Sequence, residues 1–312
     1  MNTYTAKLPY IESREYETQF WNALRGKAGH KEHLVKGVDT ATGAFIITPK
    51  SQDKYLAAVK EESLFRSLAT NIQTYGSDYR IKTVNGSDIA TWVPEGRSIP
   101  IVDGMDEFGE ITLDSHKLAL FFKLEDALIN DPSFKLEDYM VKRLARSFGK
   151  AEDSGFINGT GVDMPTGILA ETGGADIGVT TTELTYDDVI RLYFSVKPEY
   201  RRSGMWLMND ETALALRTLK DAGGNYIWNH ANDTILGKKV CISEFMPGAD
   251  ANSKPIAFGD FSYYWVVGRS PVCVRPLVEQ FAMLEYTGYL AYEFLDGKLI
   301  RPEAIKVMQM TA

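Results

Sequence analysis

Apolar residues recur along this chain at two periods, and the switches between them mark out its segments. Spacings of three and four, the repeat of a helix with one buried stripe, put Tyr16, Phe20, Trp21 and Leu24 on one side of a short helix within 11–26, ended by Gly26. The polar stretch to Gly43 has too few apolar residues for a core of its own and reads as an arm lying on a partner. FIITP (45–49) is a short strand stopped by Pro49, and the run 52–69 carries Tyr55, Leu56, Val59, Leu64, Phe65 and Leu68 at helical recurrence.

Alternation takes over in 77–93, where Tyr79, Ile81 and Thr83 share a side and Asn85-Gly86 reads as a turn, and returns in 108–124. PEGRSIPIVDGMDE between them is loop chemistry. Two strands of roughly 15 residues would each reach about 50 Å at 3.3 Å per residue. That exceeds what one domain can cover, and an isolated two-stranded ribbon is marginal in water, so its far end is expected to rest on another subunit.

After Asn130-Asp131-Pro132 the helical period is at its clearest. Leu136, Tyr139, Met140, Leu144, Phe148 and Ala151 take one face, and Lys142, Arg143, Arg146, Glu152 and Asp153 the other, over about 20 residues or roughly 30 Å. The glycines that follow, Gly159, Gly161 and Gly167 in FINGTGVDMPTGIL, fit neither GxGxxG nor GxxxxGK[ST], so this is a turn rather than a phosphate cradle. A helix in 184–201 closed by Pro198, a buried strand MWLMN and a helix in 211–221 ended by Ala222-Gly223-Gly224 come next.

Composition narrows the class. With 312 residues, 44% hydrophobic and 24% charged, the chain can bury a sizeable core unaided. It has no apolar run of membrane-spanning length and no signal-peptide core at its start. A net charge of -8 argues against tight nucleic-acid binding, which draws on Lys and Arg to release counterions. Cys241 and Cys273 read as buried small hydrophobes in a reducing compartment.

Candidate chemistry is sparse. His30 and His33 lie three apart in the weak arm with no third ligand in view. Ser51 and Lys54 match SxxK, but the companion SDN and KTG elements are absent. Asp187-Asp188 reads as a solvated helix start. Tyr263, Tyr264 and Trp265 could stack bases, but only Arg269 is near, and a core strand is the better reading. No catalytic, cofactor or metal site is expected.

Taken in order, FWNALRG with GAFIITP, AEDSGFINGTGVDMPTGIL, MWLMNDETALALRTLKDAGGNYIW, and FGDFSYYWVV with DGKLIRPEAIKVMQM resemble the major capsid proteins of tailed bacteriophages, the Hong Kong 97-type family, over about residues 11–310. The resemblance implies an α+β fold. Its parts would be an N-terminal arm (1–44), a peripheral domain (45–165) with an extended loop (77–113) and a spine helix (about 133–157), an axial domain (166–270), and C-terminal strands (271–312) returning to both. It implies a non-enzymatic shell of hexamers and pentamers around double-stranded DNA that is loosely held by an acidic inner face. Scaffold, protease and portal would be partners, no membrane would be involved, and synthesis would be in the bacterial cytoplasm and residence in the virion. Trp92, Glu95, Arg97, Asp103, Asp106 and Glu107 would make intersubunit contacts from the extended loop, and Asp221, Gly223, Gly224 and Asn225 would lie at the capsomer centre.

Two departures bear on the transfer. Some relatives join subunits by a Lys–Asn isopeptide bond, whereas Lys82 lies on the loop's arm and 271–312 holds no Asn, so no crosslink is expected. About 20 residues precede FWNALRG, so scaffolding would be a separate protein or a segment already trimmed. An encapsulin-type compartment shell, which shares the fold, is the alternative.

Overall fold

The structure, a computed structural model, describes residues 10–27, 34, 44–74, 79–84, 108–220, 226, 228 and 234–312. In chain order the elements begin with α1 (Arg14–Leu24), β1 (Phe45–Ile46), α2 (Pro49–Glu62), α3 (Leu64–Leu68), β2 (Thr70–Gln73), β3 (Tyr79–Val84), β4 (Phe108–Leu113) and β5 (His116–Glu125). Then come α4 (Asp126–Asn130), α5 (Leu136–Asn158), β6 (Asp176–Thr181), α6 (Tyr186–Ser195), α7 (Pro198–Arg201), β7 (Met205–Met208) and α8 (Asp210–Thr218). The chain finishes with β8 (Thr234–Ile235), β9 (Lys238–Ile242), β10 (Ile256–Gly259), β11 (Tyr264–Gly268), β12 (Cys273–Leu277), β13 (Tyr286–Leu299) and β14 (Ile305–Met310).

Two six-stranded sheets organise the chain. The first runs β1-β12-β13-β11-β2, with β5 also on β13; the second runs β6-β14-β10-β7-β9-β8. The 14-residue β13 holds the first together, pairing with β5 from Tyr286 to Leu295 and with β11 from Leu295 to Leu299. Among the described residues the chain passes between the sheets three times, at 159–175, at 260–263 and at 300–304. The core follows this division. One cluster packs α1, α2 and the first half of α5 on the first sheet, and another packs α6 and α8 on the second. A third, around Phe65, Phe156, Phe261 and Tyr264, fills the space between. Cys241 and Cys273 are buried free thiols, and Tyr264 is a fully buried core residue whose hydroxyl donates to the Thr166 carbonyl at 2.8 Å.

α5 spans 23 residues, about 35 Å at 1.5 Å per residue. Met140, Leu144 and Phe148 are buried as their spacing requires, but near the helix's end the expected faces exchange: Ala151 is exposed, and Glu152 and Asp153 are buried. The cause lies in a second difference. The single helix expected over 52–69 is broken at Ser63, and α3 begins there. Its unpaired N–H groups need an acceptor. Asp153 supplies it, accepting from Leu64 N at 2.9 Å, Phe65 N at 3.0 Å and Ser63 Oγ at 2.6 Å. Asp188 is likewise not solvated: it is buried, accepts from the hydroxyls of Thr185 and Thr181, and pairs with Arg191 at 3.1 Å. The helix α8 stops at Thr218, short of the glycines expected to end it.

The turn 156–169 reverses the chain against the end of α5, with Gly167 N donating to Gly159 O, Ile168 N to Phe156 O and Leu169 N to Ile157 O at 2.8, 2.8 and 3.0 Å. Two glycines are there for close approach. A Cβ on Gly159 would lie 2.1 Å from the Pro165 carbonyl oxygen, and one on Gly167 would lie 2.5 Å from that of Ile157.

Candidate functional site

The extended loop leaves the body as a two-stranded ribbon, β3 with β4, in register from Tyr79↔Leu113 to Val84↔Phe108. The expectation of two arms of roughly 15 residues is corrected for the second arm. β4 ends at Leu113, and after Asp114-Ser115 the chain enters the first sheet as β5, paired with β13 over ten residues. Both halves alternate in sequence, so alternation alone cannot reveal where the strand changes partners. The six described pairs of the ribbon cover about 20 Å.

What fixes the break is a set of polar anchors at the ribbon's root. Asp296 is fully buried in β13; its Oδ2 accepts from Asp114 N at 2.7 Å and its Oδ1 from Gly297 N at 2.7 Å, with His116 Nε2 at 3.5 Å. Burial pushes its carboxyl upward while the backbone donors and Lys298 oppose the rise. Lys298 Nζ donates to Thr112 O at 2.8 Å, and Arg269 Nη2 donates to Leu113 O. Beneath these, Ile81 and Leu113 are buried with Val267, against Ile72, Tyr79, Trp265 and Ile300. Sequence-local turn residues do not direct this exit; two cations and a carboxylate from distant strands hold successive backbone groups. Tyr79, Ile81 and Leu113, at the root of the extended loop, therefore pack on the molecule's own body.

A second polar cluster lies between α2, α3, α5 and β13. Arg66 forks onto Glu152, Nε to Oε2 at 2.8 Å and Nη2 to Oε1 at 2.6 Å, with side chains 9% and 0% exposed. Beside the pair, Tyr55 donates its hydroxyl to Glu293 Oε1 at 2.9 Å. Burial, and then the negative charge of Glu152, push the Glu293 carboxyl up from its ordinary 4.5 to about 8. A carboxyl that folding makes easier to protonate contributes stability in full below 4.5, and that contribution drains away as pH rises through about 8. The melting temperature is accordingly expected to fall from about pH 5 to about pH 8 and to level off above that, and Glu293→Gln to flatten the decline. An unchanged slope in the variant would assign the pH dependence elsewhere.

Ser51 and Lys54 do converge, but on an acid: Ser51 Oγ donates to Glu137 Oε1 at 3.0 Å and Lys54 Nζ to the same oxygen at 2.7 Å. That hydrogen bond holds the ammonium above its ordinary range, the opposite of the neutral amine an SxxK base needs. Trp92, Glu95, Arg97, Asp103, Asp106, Glu107, Asp221, Gly223, Gly224 and Asn225, with His30 and His33, lie outside the described residues. Among the described residues there is no cluster able to hold a metal ion and no helix long and apolar enough to cross a membrane.

The two sheets, the long helix packed on the first of them and the ribbon anchored at its root make an α+β fold of the Hong Kong 97 type. The phage capsid family profile matches residues 43–310, and the chain belongs to that family. Among solved structures, the capsid of an empty GTA particle computed with C5 symmetry is 28% identical at a TM-score of 0.71, and that of the native GTA particle is 27% identical at 0.67. Each match covers 80% of this chain and 90% of the other. A structure from Mycobacterium phage Adephagia shares the fold at 15% identity and a TM-score of 0.58, covering 80% of this chain and 90% of that one. The probable major capsid protein gp17 of Mycobacterium phage L5 is 27% identical over 126 residues, 40% of this chain and 38% of that protein. The capsid polyprotein of Pseudomonas phage PAJU2 is 26% identical over 185 residues, 54% of this chain and 27% of that protein. The chain thus matches well under half the length of these two curated relatives. The family match supports a structural capsid protein and virion component, and an encapsulin is not the favoured reading.

Proposed function

We propose that copies of this chain form hexamers and pentamers that close an icosahedral head shell around phage double-stranded DNA. The observation that carries the reading is the ribbon. No third strand pairs with β3 or β4 among the described residues, yet buried anchors fix the angle at which the ribbon leaves the body. A two-stranded sheet gains little stability by itself, so the anchors make sense as an aiming device for a neighbour. In this reading the first sheet and α5 form the peripheral domain, and the second sheet forms the axial domain. Contacts from Trp92, Glu95, Arg97, Asp103, Asp106 and Glu107 reach an adjacent subunit, and Asp221, Gly223, Gly224 and Asn225 line the capsomer centre. The polar stretch between Gly26 and Gly43 is assigned to a partner, whereas α1 packs in this chain's own core. Scaffold, protease and portal act during assembly in the host cytoplasm, and the acidic chain holds DNA loosely. Many weak contacts per subunit make the container stable through effective concentration.

Light scattering after size exclusion, with electron microscopy of the same fractions, tests this. Closed shells or five- and six-membered rings are expected. Persistent monomers at every concentration would overturn the reading. Assembled material is expected to run on a denaturing gel as one band near 34.9 kDa, and a covalent ladder would refute the expectation that subunits are not crosslinked.

A further inference from the structure

The second sheet carries unlike apolar surfaces towards its two ends. At one end α6 lies over β6, so close that a Cβ on Gly178 would meet Ser195 Oγ at 2.5 Å and Leu192 Cδ1 at 2.8 Å. This helix presents Phe194, 63% exposed. The Arg201 guanidinium sits 4.8 Å from the Phe194 ring, held there by the carbonyls of Phe194 and Val196. Lys197 is also exposed three residues after Phe194, followed by one acid, Glu199. The result is a stiff aromatic knob with a cationic collar.

At the other end α8 and β9 line a groove of about 530 Å³. Leu214, 63% exposed, and Ile242, 43% exposed, form its apolar walls. β8 covers β9 only at Lys238 and Lys239, so the outer edge from Val240 to Ile242 has no partner strand among the described residues. Asp210 and Glu211 line the groove together with one base, Arg217, which lies over the Trp228 ring at 4.9 Å, and Asp250 adds a third carboxylate, since Asp250 Oδ2 and Glu211 Oε2 both face the position of a Gly248 Cβ, at 3.3 and 3.5 Å. Trp228 also lines the groove, and its buried indole N–H has no acceptor among the described residues.

We propose that neighbouring copies join head to tail through the second sheet, the Phe194–Arg201 knob of one copy seating in the Leu214–Ile242 groove of the next. The inference rests on the shell-forming reading above and names the surfaces it uses. α6 and α8 share one apolar cluster and so pack on the same face of the sheet. The knob and groove differ in shape and charge, so they match each other rather than themselves. Such a heterologous contact repeats around an axis and closes a ring, which a self-complementary two-fold contact cannot do. The cationic collar meets an acidic rim, which fixes orientation and disfavours knob-to-knob or groove-to-groove encounters. Because Arg201 is already held on Phe194, little side-chain freedom is lost on docking.

The test places p-benzoylphenylalanine at position 194 in particles assembled from mixed light- and heavy-nitrogen chains, followed by irradiation and peptide mapping. Adducts between chains within 210–217 or 238–242 are expected. Phe194→Glu and Leu214→Glu, both folded by circular dichroism, are expected to lower assembly at least tenfold, and Phe194→Glu with Leu214→Lys to regain part of it. Particles whose position-194 adducts lie elsewhere, for example on the exposed Met283–Leu284 tip, or single variants that assemble like the parent, would overturn this pairing while leaving the shell reading intact. A parent protein that never assembles would overturn both.

Discussion

Arg66→Met is expected to lower the unfolding free energy by about 3–5 kcal/mol, the usual cost of removing one partner from a buried ion pair. The guanidinium meets both carboxylate oxygens of Glu152, whose side chain is fully buried. Without it, Glu152 is left a buried, unpaired carboxyl beside that of Glu293. Equilibrium urea unfolding followed by tryptophan fluorescence reads the effect. Arg66→Met with Glu152→Leu should recover most of the loss, because a buried pair is often replaceable by apolar groups of similar volume. A loss below about 1 kcal/mol in the single variant would mean the pair is solvated and behaves like a surface salt bridge.

Gly167→Ala is expected to be nearly as damaging, at or above the upper end of the ~1–3 kcal/mol typical of overpacking. The added methyl would lie 2.5 Å from Ile157 O and 2.6 Å from Gly159 N. These are backbone atoms in the hydrogen-bonded reversal at the end of α5, so no side chain can swing aside. A shift of the turn would also disturb Thr166, whose N–H donates to Gly297 O at 3.0 Å and whose carbonyl accepts from Tyr264. Gly237 is the control. It has φ +72 and open space around its Cβ position, so Gly237→Asn, which tolerates that backbone region, should cost well under 1 kcal/mol. Thermal melts of the two variants compare them directly, and equal melting temperatures would refute the close-approach argument.

Much of the architecture was legible wherever one period ran unbroken. α1, the buried strand β7 and α5 fell where apolar spacing put them. Period failed where a polar residue had a distant partner. Glu152 and Asp153 look solvent-facing on a helical wheel, and nothing local reveals that Arg66 and Ser63 wait for them. The same blindness extended 108–124 as one strand, since its break depends on Asp296, Lys298 and Arg269, far along the chain. One signal was available: Glu293 and Asp296 interrupt the otherwise apolar run YLAYEFLDG of β13. A charge inside a central strand needs a buried partner. The two polar clusters could have been suspected from that alone, though not what they anchor.

The three chain passages between the sheets bear on how a subunit takes load. Two run side by side and are bonded together, Asp260 N to Ala304 O and Ile300 N to Tyr263 O, both at 3.0 Å, and the third, leaving the end of α5, is tied to the first sheet by Thr166 N on Gly297 O and by the Tyr264 hydroxyl on Thr166 O. A single tether would let the halves swivel; three, hydrogen-bonded and packed around one aromatic cluster, lock them as a plate. Pressure on such a plate is shared among peptide bonds rather than concentrated on one joint, so flexing of a finished container would be confined to the seams between its tiles.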